Sequence, residues 1–369
     1  MKIVHCADLH LDSKMTANLD KEKAKERKAE LLLTFERMIA YAKEQQVEAI
    51  LIAGDLFDTK NISAGAKNVV KSAISNNPQV TFFYLKGNHD QDNFLSVEEE
   101  VPENLKLFSG EWTSYALGKG RVVLTGLELH QENSGSAYSA LALDAAKFNI
   151  VILHGQESES GAKDKVEVIN LRALKNKGID YLALGHVHAY KEETLDARGV
   201  YCYPGCLGGR GFDECGEHGF VVLDIDEETG QYTKKFVPIA SRHLYEVPVD
   251  VTDCMTSAEM KQKIKSVLFD ENNISSKSLV KVILTGTPDV ECEKDVQYLL
   301  KSFESDFYFI KIYDETSLKV DINQFLTDMS LKGEFVRKVM EADLSEEEKG
   351  AIIRYGLQIL EKGEVELCD

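Results

Sequence analysis

VEAILIAGDLFD, residues 47–58, is an apolar, β-branched run that stops at a glycine and turns acidic. A run of that kind, bounded by turn residues, reads as a strand buried on both faces. The same grammar recurs along the first half of the chain. KIVHCA (2–7) runs into Asp8-Leu9-His10, and VTFFYL (80–85) runs into Gly87-Asn88-His89-Asp90. NIVIL (149–153) ends in His154-Gly155, and DYLAL (180–184) ends in Gly185-His186-Val187-His188. VVLTGL (122–127) is one more such strand. Between the first two strands lies a helical pattern over about 21–46, with Ala24, Leu31, Leu32, Phe35, Met38, Ile39 and Ala42 on one face and lysines opposite. Strands alternating with helices predict an α/β fold. In an open α/β sheet the carboxyl ends of the strands share one edge, where ligands bind. Five segments therefore deliver Asp, Asn and His to one crevice, and five of the nine histidines stand there.

VYCY (200–203), FVVLDI (220–225) and YTKKFVP (232–238) read as antiparallel strands, with Gly230-Gln231 at a hairpin turn. Composition changes near residue 240. RHLYEVPVDV (242–251), SLVKVILTG (278–286) and FYFIKIY (307–313) read as strands. Helices are expected between them, one capped by Thr256 with Glu259 and one over 291–304. Two amphipathic helices follow. The first covers about 321–341 with Ile322, Phe325, Met329, Val336 and Met340; the second starts at Ser345, boxed by Glu348, and stops at Gly363. The expected domains are 1–240, 241–318 and 319–369.

With 369 residues and 43% hydrophobic composition the chain can bury several cores, and it is neither disordered nor low-complexity. No apolar run approaches the roughly 18 residues of a membrane helix. MKIVHCADLH reads as a strand entering polar residues, not as a signal peptide. Seven scattered cysteines suit a reducing compartment, so a cytoplasmic location is expected. The net charge is −19, and the last third is the more densely acidic. Nucleic-acid binders usually carry a basic footprint. Any grip on DNA is therefore expected to be weak without divalent cations or a basic partner.

The strand-end residues are hard oxygen and borderline nitrogen donors with no cysteine among them. That set suits Mn2+, Fe2+ or Zn2+. A pair of ions needs a bridging carboxylate, and Asp55 is the natural candidate. Such a pair lowers the pKa of a shared water and clamps both the attacking and the leaving oxygen of a phosphoryl displacement.

D-x-H, G-D-x-x-D, G-N-H-D, an isolated H-G and G-H-x-H, in this order over residues 1–240, resemble the calcineurin-like metallophosphoesterases. ADLHLDS (7–13), AGDLFD (53–58), LGHVHAY (184–190) and YPGCLGGRGFDE (203–214) are most similar to the bacterial DNA repair exonuclease branch, the SbcD- and YhaO-like proteins. The resemblance implies an α/β/β/α sandwich, a small α+β capping domain and C-terminal helices. It implies that Asp8, His10, Asp55 and His188 hold one metal, and that Asp55, Asn88, His154 and His186 hold the other. It makes His89 the catalytic histidine and Asp58 the carboxylate that sets its tautomer. It further implies double-strand exonuclease and single-strand endonuclease activity on DNA, usually with Mn2+, a homodimer, and an SbcC-like coiled-coil ATPase bound by the C-terminal helices. Asp58 stands where some nucleases of this branch carry His, and so follows the broader phosphoesterase pattern. The rival readings are a metallophosphodiesterase for a small nucleotide or cyclic nucleotide, and a partner-docking subunit with little nuclease activity.

Other residues read as less specific. Tyr203-Pro204-Gly205 and Arg210 are candidates for the phosphate path. Asp12 and Asp90 read as loop-shaping groups, and His5 as a packed histidine. Cys202, Cys206 and Cys215 lack the paired spacing of a zinc site. Lys21, Lys23, Lys25, Arg27 and Lys28 read as a solvated basic face.

Overall fold

A computed structural model describes residues 1–15, 19–58, 62–90, 100–159, 168–288, 292, 294–317, 325 and 327–362. It divides into two compact units, Met1–Tyr245 and Glu246–Asp369.

The first unit begins with β1 (Lys2–Cys6), α1 (Lys21–Glu44), β2 (Ala49–Ala53), α2 (Ala64–Ser75), β3 (Thr81–Leu85) and β4 (Leu105–Leu107). It continues through β5 (Thr113–Leu117), β6 (Val122–Gly126), the short α3 (Ala137–Ala140), β7 (Phe148–His154), β8 (Gln156–Ser158), β9 (Val168–Asn170) and the short α4 (Leu171–Leu174). It ends with β10 (Tyr181–Gly185), β11 (Lys191–Thr194), β12 (Val200–Tyr203), β13 (Gly219–Ile225) and β14 (Tyr232–Pro238). Two six-stranded mixed sheets result, ordered β14-β13-β1-β2-β3-β4 and β11-β12-β10-β7-β6-β5. In the first, β1 to β4 are parallel.

Period-2 alternation explains why the interior strands read as continuous apolar runs. Val4, Cys6, Ile50 and Ile52 face the layer of α1 and α2. Ile3, Ala49, Leu51 and Ala53 face the second sheet, meeting Ile150, Ile152 and Tyr181. The outer face of the second sheet packs Val151, Leu153, Leu182 and Leu184 under Leu171 and Leu174. The architecture is thus an α/β/β/α sandwich. VYCY departs from expectation: β12 runs parallel to β10, and the short edge strand β11 supplies its antiparallel neighbour. A buried apolar run carries no record of the direction of its neighbour.

Helix α1 starts where Asp20 accepts the Lys23 N–H at 2.8 Å. Its basic face has one exception. Arg27 is buried, pairs with Glu30 and donates to the Gly209 carbonyl at 2.8 Å.

His5 lies between the sheets with Nδ1 2.9 Å from the Tyr181 hydroxyl. Burial pushes its pKa down to about 3, against the pull of the Leu184 backbone hydrogen bond. A histidine with a lowered folded pKa stays neutral in the native state while the unfolded chain takes a proton below about 6.5. Its stability contribution is therefore present above that pH and falls as pH drops toward 3. The expected loss is about 1.4 kcal/mol per pH unit, or ~2 kcal/mol at pH 5. Urea midpoints between pH 7 and 5 should fall less steeply for His5→Leu than for the wild type; equal slopes would refute the assignment.

β15 (Leu244–Asp250), which begins two residues before the second unit, forms a three-stranded sheet with β16 (Leu279–Thr285) and β17 (Phe309–Asp314). β16 and β17 are parallel. Helices α5 (Ser257–Lys265), continued by a π-helical turn over Ser266–Glu271, and α6 (Val296–Phe303) contribute buried Met260, Ile264, Leu299 and Phe303. Thr256 caps α5 as expected, and only the return arm of the box is shifted by one residue. Thr256 accepts the Glu259 N–H, but the Glu259 carboxylate takes the N–H of Met255. Helix α6 starts later than expected because Asp295 caps it, accepting the Tyr298 N–H at 2.9 Å.

Helices α7 (Leu331–Glu341) and α8 (Glu346–Lys362) pack through Val336, Val339, Ile353 and Leu357. Ser330 caps α7, so Met329 lies before the helix and is exposed. Ile322 and Gly363 lie outside the described residues. Ser345 and Glu348 form the expected box, Glu348 N–H to Ser345 Oγ at 3.3 Å and Ser345 N–H to the Glu348 carboxylate at 2.9 Å. Among the described residues no helix is long and apolar enough to cross a membrane.

Candidate metal centre

Asp8 and His10 follow β1, Asp55 and Asp58 follow β2, and Asn88 and His89 follow β3. From the second sheet, His154 closes β7 and His186 and His188 follow β10. The first two turns are unusual. Asp8, His10 and Asp55 have φ of 51°, 44° and 51°, in the left-handed region that side chains disfavour. Cross-bonds hold them there: Asp8 N–H donates to the Gly54 carbonyl at 3.1 Å and His10 N–H to the Asp55 carbonyl at 2.9 Å. Disfavoured backbone concentrated in one cluster marks a conformation kept for the side chains it aims. Close approach is the second requirement. A Cβ on Gly185 would strike the Ala53 carbonyl, and one on Gly87 would strike the Asp55 carboxylate.

The side chains converge. The ligand atoms of Asp8, His10 and His188 lie within 4.8 Å of one another, as do those of Asp8, Asp55 and His154, and those of His10, Asp58 and His89. Asp55 is central. Its Oδ1 accepts the His89 N–H at 2.9 Å, while Oδ2 is 3.8 Å from His10 Nε2 and 3.4 Å from His154 Nε2. His10 Nε2 and His188 Nε2 are 3.1 Å apart. Asn88 Oδ1 is 2.9 Å from His154 Nε2. The His186 ring stands edge-on to that of His154, and its backbone N–H donates to Asp8.

Two imidazoles have Nδ1 committed away from the crevice. That of His154 donates to the Ala53 carbonyl at 2.9 Å, and that of His188 meets Glu214 Oε1 at 2.7 Å. Nε2 is left to face inward in each, the pattern by which proteins orient metal-binding histidines. His10 Nδ1 is buried 3.2 Å from Asp58 Oδ1 without a hydrogen bond. Asp58 Oδ1 is also 3.0 Å from His89 Nδ1, so one oxygen stands beside two rings.

The electrostatics favour a cation. Burial pushes Asp8 up to about 6, against the charge of His154. Burial would also raise Asp55, but the hydrogen bond and charge of His154 and the charge of His10 hold it well below the usual range. Burial opposes charge on His154, yet Asp55 and Asp8 draw it up to about 9. Among the described residues neither Asp8 nor Asp55 pairs with Lys or Arg; imidazoles and the backbone N–H groups of His89 and His186 face them. Buried carboxylates without a fixed cation are costly alone and become favourable around divalent ions. The donor set is mixed O and N, which fits Mn2+, Fe2+ or Zn2+.

The neighbouring candidates have other employment. Asp90 accepts the N–H groups of Leu56, Phe57 and Gly87, knitting two of the loops together. Asp12 accepts the Ser63 N–H at 2.7 Å. Tyr203 is fully buried; its hydroxyl donates to the Gly155 carbonyl and accepts the Glu157 N–H, so it braces the turn below His154 and cannot reach a phosphate. Arg210 is largely buried and binds Glu214 at 2.6 Å. Cys202 and Cys206 are buried, Cys215 is exposed, and none joins a metal-ligand group among the described residues. Glu214 was given no role in the sequence reading, although it closes the stretch YPGCLGGRGFDE (203–214) that carries the family resemblance.

A sandwich of this build with Asp, Asn and His at adjoining strand ends defines a class, the metal-dependent phosphoesterases. The family model "Calcineurin-like phosphoesterase" matches residues 1–190, just over half of the chain, and the chain belongs to that family. A dimetal site is typical of it. The chain is 27% identical over 300 residues to the uncharacterized metallophosphoesterase YhaO of Bacillus subtilis (strain 168), covering 78% of this chain and 72% of that one. It is 26% identical over 324 residues to the DNA double-strand break repair protein Mre11 of Methanopyrus kandleri, covering 78% and 69%. Among solved structures, TT1561 of Thermus thermophilus overlaps with a TM-score of 0.38 at 15% identity, over 64% of this chain and 98% of that one. A dimetal phosphatase from Danio rerio overlaps with a TM-score of 0.37 at 11% identity, over 60% and 92%.

Proposed function

We propose that this chain is a two-metal phosphodiester hydrolase acting on DNA, an exonuclease or endonuclease of repair or recombination that works in a reducing cytoplasm. The observation that carries the two-metal reading is the Asp55 carboxylate, pinned through Oδ1 by His89 N–H with Oδ2 facing His10 on one side and His154 on the other. In this reading Asp8, His10, Asp55 and His188 hold one ion, Asp55, Asn88, His154 and His186 hold the second, and Mn2+ is the first candidate. When bound, the ions activate a water and neutralise charge on the phosphoryl oxygens. The chain's own residues do the rest. With Asp58 holding Nδ1–H, the doubly protonated ring of His89 presents Nε2–H to the phosphate, gives that proton to the leaving sugar oxygen and is left neutral. The His89 side chain is 46% exposed, open to a substrate from solvent.

The DNA part of the proposal rests on similarity to Mre11. We read residues 1–240 as the nuclease domain, 241–318 as a capping domain and 319–369 as the segment that docks an SbcC-like ATPase, with a homodimer as the working unit. Exposed Ile352, Tyr355 and Ile359 on α8, opposite the face that packs α7, support such docking.

End-labelled duplex and single-stranded DNA, assayed beside bis-p-nitrophenyl phosphate with Mn2+ or EDTA, tests the reading. Cleavage of DNA only with the metal supports it. Turnover of the nitrophenyl diester with intact DNA would move the assignment to a small nucleotide substrate. The acidic surface adds a prediction. In EDTA at physiological salt the isolated protein should show no nanomolar gel shift with duplex DNA, and tight binding there would contradict it.

A further inference from the structure

Residues 204–218, between β12 and β13, carry no helix or strand, yet several of their polar groups are fastened. Cys206 N–H donates to the His188 carbonyl at 3.0 Å. Arg27, reaching from α1, holds the Gly209 carbonyl at 2.8 Å. His218 Nε2 holds the Glu214 carbonyl at 2.9 Å, and Cys206 Sγ lies 3.2 Å from the other ring nitrogen of His218. Gly209 has no room for a Cβ beside the Glu214 carbonyl and the His218 ring. Glu214, within this loop, is 6% exposed.

The Glu214 carboxylate looks inward. Oε1 meets His188 Nδ1 at 2.7 Å and Arg210 at 2.6 Å; Oε2 accepts the Arg210 backbone N–H at 2.7 Å. Arg210 in turn stands 3.7 Å from Asp58 Oδ1, the oxygen beside both His10 and His89. A buried carboxylate with a bidentate guanidinium is a rigid acceptor, because both partners lose little freedom on pairing. A carboxylate on one imidazole nitrogen fixes the ring plane and directs the other nitrogen at a metal.

We propose that Glu214, locked by Arg210, is the positioning residue that aims His188 Nε2 at the first metal, and that Arg210 ties this arm to the Asp58 arm. The pair acts as a positioning clamp, through His188 and through Asp58. The inference rests on the two-metal reading above and not on the nature of the substrate.

Mn2+ titration by calorimetry, with metal content by mass spectrometry and thermal midpoints alongside, tests it on the full chain. The wild type should bind two ions. Glu214→Leu, which removes the acceptor, should weaken one ion about 100-fold and leave the other within a few-fold. Glu214→Gln keeps an amide oxygen for Nδ1–H and should weaken the same ion about 10-fold. Arg210→Gln, which frees the carboxylate without removing it, should resemble Glu214→Gln. If the leucine variant does not fold, the glutamine variant decides. Unchanged Mn2+ affinity in a folded variant overturns the proposal, as does equal loss of both ions in step with the thermal midpoint. Two bound ions without DNA cleavage in the wild type would sink the DNA reading and leave this inference standing. No Mn2+ binding in the wild type would end both.

Discussion

Asp55→Asn is expected to abolish two-ion binding and to lower diester hydrolysis by about 10³-fold or more. The side chains are nearly isosteric, so the change isolates charge. One face of the Asp55 carboxylate receives the His89 N–H, and an amide oxygen can still accept there. The other oxygen, between His10 and His154, becomes an NH2 group that points protons where a cation should sit. Losing several kcal/mol of charge stabilisation accounts for the size of the effect. Metal analysis and hydrolysis of bis-p-nitrophenyl phosphate check it, with a urea midpoint to show that the variant is folded. Retention of two ions and of most of the rate would remove Asp55 from the centre of the scheme.

His89→Ala is the second large effect, and its signature lies in the leaving group. The His89 ring sits on Asp58 with nearly half of its side chain open to solvent. If it protonates the departing oxygen, its loss should cost about 10²–10⁴-fold on DNA, where the leaving group is a sugar alkoxide. On bis-p-nitrophenyl phosphate, whose nitrophenolate departs without help, the loss should be far smaller. Metal content should not change, since His154 and His188 keep their own Nδ1 partners in the variant. An equal loss on both substrates would mean that His89 binds phosphate without delivering a proton. A loss of metal would make it a ligand. The third grouping, of His10, Asp58 and His89, is where that outcome would arise.

The contrast between Asp55 and Glu214 separates what can be read in a sequence from what cannot. Asp55 sits in a run, AILIAGD, whose apolar half announces a buried strand and whose glycine announces the turn. Strand ends in an α/β sheet share an edge, so Asp8, His10, Asp55, Asn88, His89, His154, His186 and His188 could be gathered without coordinates. Glu214 belongs to an irregular loop whose shape comes from distant groups, Arg27 on α1 and His218 before β13. No local period encodes those contacts.

The amino-acid order alone therefore determined the α/β class, the burial of the central strands, and the pool of residues at one sheet edge. These follow from hydrophobic period and turn chemistry, which act over a few neighbouring residues. Tertiary structure alone decided that β12 runs parallel to β10, that Arg27 is a buried tie, that Tyr203 is a brace, and which nitrogen of each imidazole faces the crevice. Those outcomes depend on hydrogen-bond partners brought together from far along the chain, and a partner's identity is settled only when the sheets have closed.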